Sequence, residues 1–490
     1  METSDSTWIA PGADHAPFHK PTFIIANLVH HMMKSNLHYA FTAKSVAVIG
    51  ASRNPGKIGY VVLENFVKGN FRGKVFPVNP NADTILNMKS YPSLSAIKEN
   101  VELAVITIPG EMVPKAIEEC GKKKVKSVII ISAGFSEVGN QVLAKKLQKA
   151  MEKYPQMPVI GPNCLGVLDT RSGIDTLFLP RYRLMRPKKG GISFISQSGA
   201  LGSAILDWAG SKDYGINKFI SYGNAMSVDE ADLLEFLIND RETKVICIYL
   251  EGVRNGKKFF QAARKYAHVK PVIIIKGGQS DAGGKATASH TGSLAGSAKV
   301  FDAVVTQTGL IPAESMREVF DYARVLETEP HPKSNRVQII TNGGGYGVLT
   351  TDALEGSALT LARMGEAFTK PIIAASPSYA VIRNPMDLTG DADNDRFLVA
   401  IRNALADPNV DSIITILLFQ VPTLDSDIVE GLSELLTKRK KPVLIVSAGG
   451  EYAKMHMKLL EKEGIHTFEE PVDATQAMHA LTYFHQRKRK

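Results

Sequence analysis

One local unit recurs along this chain: an apolar strand, a glycine-rich polar turn, then the start of a helix. It stands at Val46-Ala47-Val48-Ile49 followed by Gly50 to Gly59, again at Ile192 to Gly202, and again at Val337 to Gly347. Further strand-like runs at Lys74 to Val78, Leu103 to Ile108, Val128 to Ile131 and Pro158 to Ile160 are each separated by a helical segment. That alternation predicts an α/β fold with a parallel, doubly wound sheet.

The second and third units are copies of each other. Aligning Ile192 with Val337 pairs Gly199 with Gly344, Gly202 with Gly347 and Asp207 with Asp352. Downstream, Lys270 to Ile275 matches Lys441 to Val446, and each run soon reaches a Gly-Gly pair. An internal duplication is the simplest account. At 490 residues the chain holds about three domains. The expected division is an arm (1–40), a first α/β domain (41–178), a Pro- and Arg-rich connector (179–189), one copy (190–328), a short join (329–334) and the other copy (335–490). The arm carries Pro11, Pro17, Pro21, a possible helix from Ile24 to Ser35, and five histidines that match no metal-ligand spacing. It reads as a segment that docks on the body or on a partner.

The copies differ in one place. Copy one runs from Gly278 to Gly309 where copy two needs only Gly450 to Gly464, and the extra stretch is built almost wholly of small residues with one imidazole, His290. Such a loop lets phosphate oxygens approach the backbone. A fold that closes without the loop in one copy does not need it for stability. A lone histidine is ordinarily structural or solvated, yet here the surroundings favour a nucleophile, and a neutral imidazole can carry a phosphoryl group. The turn Ser196-Gln197-Ser198-Gly199 is either a plain N-cap or the N–H donor set such an anion needs. Glu251, at the end of strand Val245 to Leu250, is either a surface glutamate or the group that holds one imidazole nitrogen. The turn at Gly50 suits a nucleotide phosphate or is a simple tight turn. Val78-Asn79-Pro80-Asn81 stands where a nicotinamide ribose would need an acidic residue, which argues against NAD.

Composition narrows the class. Hydrophobic content of 44% and charged content of 22% describe an ordinary globular protein, and no apolar run is long enough to cross a bilayer. The first residues form no secretory signal, and three separated cysteines suit a reducing cytoplasm with no disulfide or metal framework. The net charge of +9 is spread along the chain apart from the basic tail Arg487-Lys488-Arg489-Lys490; it permits nucleic-acid binding and equally suits a polyanionic ligand such as coenzyme A, so charge alone decides nothing.

Gly50-Ala51-Ser52-Arg53, Ser132-Ala133-Gly134-Phe135-Ser136-Glu137, Gly161-Pro162-Asn163-Cys164-Leu165-Gly166, Ser196-Gln197-Ser198-Gly199-Ala200 and Ser289-His290-Thr291-Gly292 follow one another in the chain. In that order they resemble the alpha subunits of ADP-forming (NDP-forming) acyl-CoA synthetases, a group similar to the succinyl-CoA synthetase alpha subunit. The match runs from about Phe41 to the C-terminus. The resemblance implies a Rossmann-like CoA-binding domain followed by two flavodoxin-like domains. It also implies a three-step reaction: acyl-CoA and phosphate give acyl phosphate and CoA, the phosphoryl group moves to His290, and it then passes to ADP. His290 would be the phosphohistidine and Glu251 its support; Ser196, Ser198 and Gly199 would receive the phosphate. Gly50, Ser52, Arg53, Asn79, Ile131, Ser132 and Ala133 would hold coenzyme A. No stretch resembles an ATP-grasp domain, so ADP or ATP and Mg²⁺ are expected on a separate beta subunit in an alpha–beta hetero-oligomer. Ser203 replaces the tyrosine near the substrate phosphate of succinyl-CoA synthetases, favouring a general, acetyl-CoA-type enzyme for a small carboxylic acid. The competing reading is a non-catalytic CoA-binding regulatory or scaffold protein, which would have no reason to keep His290 and Glu251.

Overall fold

The computed structural model describes Met33 and residues 36–280, 282–285 and 297–488. The expected Ile24–Ser35 helix and the His290 segment lie outside the described residues. Three mainly parallel sheets follow one another along the described chain, beside a small antiparallel hairpin of Thr84–Ile85 and Met88–Lys89. The first contains β1 (Ser45–Ile49), β2 (Lys74–Val78), β3 (Leu103–Ile106), β4 (Ser127–Ile130) and β5 (Val159–Ile160), in the order β2-β1-β3-β4-β5. The second contains β6 (Val167–Asp169), β7 (Lys188–Ser196), β8 (Gly215–Ser221), β9 (Val245–Leu250), β10 (Val272–Lys276) and β11 (Ile311–Pro312), in the order β11-β10-β9-β7-β8-β6. The third contains β12 (Arg336–Thr341), β13 (Thr360–Leu361), β14 (Met386–Asp387), β15 (Ser412–Ile416), β16 (Val443–Val446) and β17 (Thr467–Phe468), in the order β13-β12-β15-β16-β17, with β14 also pairing β12.

Setting aside β6 and β14, all three sheets share one winding: the first strand lies between the second and the third. Chain direction across the sheet therefore reverses beside β1, β7 and β12. Loops leaving the C-terminal ends of strands at such a reversal diverge and leave a crevice. The central strands are fully buried runs (Val46, Val48, Ile195, Ile248, Ile339, Ile414), as expected where helices cover both faces.

Two features tie the layers together. Val48 and Ile129 of the first sheet, Ile195 and Ile248 of the second, and Leu234 of the helix Glu230–Asn239 belong to one continuous core. A second core joins Phe194 and Ile273 of the second sheet to Ile339 and Ile414 of the third through Leu481 and Phe484 of the C-terminal helix Pro471–Lys488. The described end of the arm joins the first core: Leu37 and Ala40 are buried, and just beyond it the buried Phe41 ring stacks on Phe236 at 5.0 Å. The connector is fastened as well. Asp175, fully buried, accepts from Arg186 Nε at 2.8 Å and from Arg181 Nη2 at 3.0 Å. Lys188 and Lys189, expected in that connector, already belong to β7, while β6 is antiparallel to β8 at the sheet edge.

Candidate functional site

The turn after β1 is built for close approach. Gly50 has φ +95°, and a Cβ on Gly59 would sit 2.0 Å from Gly50 O. Only two glycines let helix α1 (Ile58–Lys68) start directly against the strand end. The side chains around it brace one another. Asn79 Nδ2 donates to Ala51 O at 2.7 Å, Asn79 Oδ1 accepts from Asn81 N at 2.8 Å, and Arg53 Nη2 donates to Asn81 O at 3.2 Å. Ser52 Oγ accepts from Asn54 N at 3.0 Å. No side chain caps α1, so its first N–H groups are available to a ligand. Gly50, Ser52, Arg53 and Asn79 thus stand together at the C-terminal edge of the first sheet.

Beside them a cleft of about 1040 Å³ opens between the first and second sheets. Ile131, Ser132 and Ala133, leaving β4, line one wall; Ser198 and Gly199 at the start of helix α2 (Gly199–Ser211), Ser203 within it, and Glu251 line the other. Ile58, the first residue of α1, reaches the same cleft. Ser132 is fixed by its hydroxyl, which donates to Ile108 O at 2.5 Å. Ser196 is fully buried behind the wall, its hydroxyl donating to Ser198 O at 2.7 Å. Ser198 is the N-cap, accepting from Leu201 N at 3.3 Å. The remaining first-turn N–H groups of α2 face the cleft with the positive end of the helix dipole.

Glu251 stands where β7 and β9, neighbours at the reversal of the second sheet, both end. Gln197 locks the two ends: its N–H donates to Tyr249 O at 3.2 Å, and its Oε1 accepts from Glu251 N at 2.8 Å and Gly252 N at 3.1 Å. The Tyr249 hydroxyl donates to Glu251 Oε1 at 3.3 Å. Burial first, then the adjacent Glu251 carboxylate, push the Tyr249 phenol up to about 12, so it stays a donor at neutral pH. Gly277, where the His290 loop leaves β10, donates its N–H to Leu250 O at 2.8 Å. A Cβ on Gly277 would meet the Tyr249 hydroxyl at 2.7 Å. The loop is therefore rooted one residue from Glu251. His290 itself lies outside the described residues.

A polar clamp crosses from one wall to the other. Asn163 Nδ2 donates to Asn224 Oδ1 at 3.2 Å, and Asn224 Nδ2 donates to Glu137 Oε2 at 2.6 Å. Glu137 Oε1 also accepts from Gly134 N at 2.6 Å and Phe135 N at 3.1 Å. Burial alone would raise the Glu137 carboxyl, but these donors outweigh it and hold it below its ordinary value.

The third sheet repeats the frame without the chemistry. Thr341 Oγ1 donates to Gly343 O, as Ser196 does to Ser198, and Asn342 Oδ1 accepts from Leu418 N at 3.0 Å, as Gln197 does from Glu251. Strand registers, Ser196 opposite Tyr249 and Thr341 opposite Ile416, put Leu418 where copy one has Glu251. The second copy lacks both the loop and the carboxylate.

Gln197, Tyr249, Asn224 and Arg254 are cleft or cleft-support residues that sequence reasoning did not single out. Gln197 and Glu137 lay inside recognisable motifs, and their middle positions were the available signal. Asn224 and Arg254 follow strand ends with no motif around them.

Comparison with known proteins follows the same three parts. Residues 44–170 match the CoA binding domain family, 189–326 the succinyl-CoA ligase like flavodoxin domain, and 337–487 the ligase-CoA domain. The chain is 41% identical over 458 residues to the alpha subunit of acetate–CoA ligase [ADP-forming] I of Pyrococcus furiosus, a match covering 91% of this chain and 97% of that one. It is 39% identical over 443 residues to acetate–CoA ligase [ADP-forming] I of Archaeoglobus fulgidus, covering 90% of this chain but 62% of that protein. Among solved structures, the dinucleotide-forming acetyl-coenzyme A synthetase 1 of Candidatus Korarchaeum cryptofilum, in complex with phosphate and ADP, aligns with TM-score 0.87 at 35% identity. That alignment covers 92% of this chain and 97% of that one.

Proposed function

The chain belongs to the ADP-forming acyl-CoA synthetases, a family of acid–thiol ligases, and we propose that it is the alpha subunit of such an enzyme, acting on a small carboxylic acid. It interconverts acyl-CoA, ADP and phosphate with the acid, CoA and ATP. The observation that carries this reading is the cleft itself. There the loop Ile131-Ser132-Ala133 of the CoA-binding part meets the N-terminus of α2 and Glu251, beside the root of the His290 loop.

The division of labour follows the geometry. The α1 turn, with Gly50, Ser52, Arg53 and Asn79, receives the phosphate-bearing end of CoA, and Ser132 and Ala133 lead its thiol into the cleft. That thiol accepts and releases the acyl group. The α2 N-terminus, framed by Ser196, Ser198 and Gly199, holds phosphate oxygens. His290 takes the phosphoryl group, and Glu251 is the carboxylate that supports it. Under the domain limits given above, 41–178, 190–328 and 335–490, CoA binding falls to the first and the phosphoryl chemistry to the second, while β6 of the first closes the edge of the second sheet. The fused A. fulgidus relative extends well beyond its match to this chain; an ATP-grasp beta subunit holding ADP and Mg²⁺ is the partner we infer, in an alpha–beta assembly. Three buried free cysteines fit a cytoplasmic enzyme, and among the described residues no helix is long and apolar enough to cross a membrane. Ser203 at the cleft favours an acetate-type acid over succinate. A purely regulatory CoA-binding role would leave Glu251 and its locking partners without a purpose.

Incubation with the beta partner, labelled ATP and Mg²⁺ tests the reading. The expected product is an acid-labile, base-stable label on this chain that disappears in His290→Ala. Absence of label on the intact, correctly partnered protein would overturn it.

A further inference from the structure

Among the described residues, four charged side chains line the cleft: Glu137, Lys145, Glu251 and Arg254. Glu137 is satisfied by Asn224 and two backbone N–H groups, and Lys145 belongs to the 141–152 helix on the opposite wall. Arg254 lies just past Glu251 on the loop that Gln197 fixes. Its Nη1 donates to Ala225 O at 2.6 Å, and among the described residues no carboxylate pairs with it. The acceptor is itself held in place: Ala225 has φ +51°, and a Cβ on nearby Gly223 would sit 2.3 Å from Asn163 O. This turn is pressed against the first wall, so the guanidinium is anchored at one corner with its other donors uncommitted.

We propose that Arg254 is a substrate-contacting residue whose guanidinium binds the phosphate oxygens in the cleft it shares with the α2 N-terminus during phosphoryl transfer. The inference rests on the ligase reading above. In that step the bond from phosphorus to the acyl oxygen breaks, the carboxylate leaving with the electron pair. The lone pair of the neutral His290 nitrogen forms the new P–N bond, and the ring keeps its other N–H. The incoming group is a dianion, and Glu251 adds a further negative charge to the same cleft. Two unit charges 4 Å apart repel by about 4 kcal/mol at an effective dielectric of 20. The half charge of one helix N-terminus does not offset that alone. A forked, permanently charged donor on the same cleft does, and its geometry suits phosphate oxygens.

The test uses the chain with its beta partner, in the direction that consumes acyl-CoA, with inorganic phosphate varied. Arg254→Gln is expected to raise the KM for phosphate about 10- to 100-fold, the loss of a charge-assisted hydrogen bond, while the KM for acyl-CoA changes little. Arg254→Lys, which keeps charge but not the fork, should fall between. An unchanged phosphate KM in Arg254→Gln, with the wild type active, overturns the inference and leaves the ligase reading intact. Equal rises in both KM values also overturn it, because they report a collapsed cleft. If Arg254→Gln does not fold, Arg254→Lys decides, and a phosphate KM equal to wild type is then the overturning result. A wild type that neither consumes acyl-CoA nor labels His290 fails the ligase reading itself, whatever Arg254 does.

Discussion

Glu251→Gln keeps the side chain's shape and its contact with Tyr249 while removing its charge. If the carboxylate supports an imidazole that gains positive charge on phosphorylation, turnover should fall by about 10²-fold or more. CoA affinity, measured by calorimetry on the alpha chain, should be unchanged. A second carboxylate gives a stability test independent of catalysis. Glu230 opens the helix Glu230–Asn239 with 1% of its surface exposed, and burial lifts its pKa to about 7. Its unfolded value is near 4.5, so the folded state binds the proton more tightly. The stability this provides is complete below pH 4.5 and lost as pH rises through 7. Glu230→Gln removes that loss. Relative to wild type, the variant should gain about 3 kcal/mol between pH 4 and pH 8, read from urea unfolding at each pH. A flat difference would show that Glu230 is not buried as a neutral acid.

Among elements, the strands were the most legible, because a strand covered on both faces is written as an uninterrupted apolar run such as Val272 to Ile275. The glycine turns were equally plain: only Gly fits where Gly59 meets Gly50 O. Gly59→Ala is accordingly expected to displace the start of α1 and weaken CoA binding at least tenfold, with a titration of CoA against both proteins as the check. Several strands were not singled out from the sequence, among them β8, β15 and the short β6 and β14. β6 and β14 span three and two residues, too few to show a period, and each exists because a neighbouring edge accepts it. The carboxylate at Glu251 was readable from its place at a strand end. Asn224 and Arg254 were not, since what brings them to the cleft is the winding of the second sheet rather than any pattern around them.

At the scale of the whole molecule, the three sheets behave as one body through shared cores and a few buried ion pairs. Glu329, at the join between the second and third sheets, is fully buried, with its carboxylate 2.6 Å from Arg439 Nη2 and accepting from Val443 N at 3.2 Å. Arg324 adds a donor to Thr467 O at 2.6 Å. Arg439→Met strands the Glu329 charge in an apolar setting and should cost about 3–5 kcal/mol, visible as a lowered midpoint in denaturant. Restored stability in the double variant Arg439→Met, Glu329→Gln would identify the stranded charge as the cause.

The small strand β6 has a consequence for how such a gene can be divided. Its three residues precede the connector, yet they close the edge of the sheet that follows it. A break that followed the apparent seam near residue 180 would leave β8 with an open edge on one product and a stray strand on the other. Any rearrangement that parts the CoA-binding segment from its neighbour, by evolution or in the laboratory, has to cut between β5 and β6. The narrow stretch from Gly161 to Gly166 that remains is also the one pressed against the cleft.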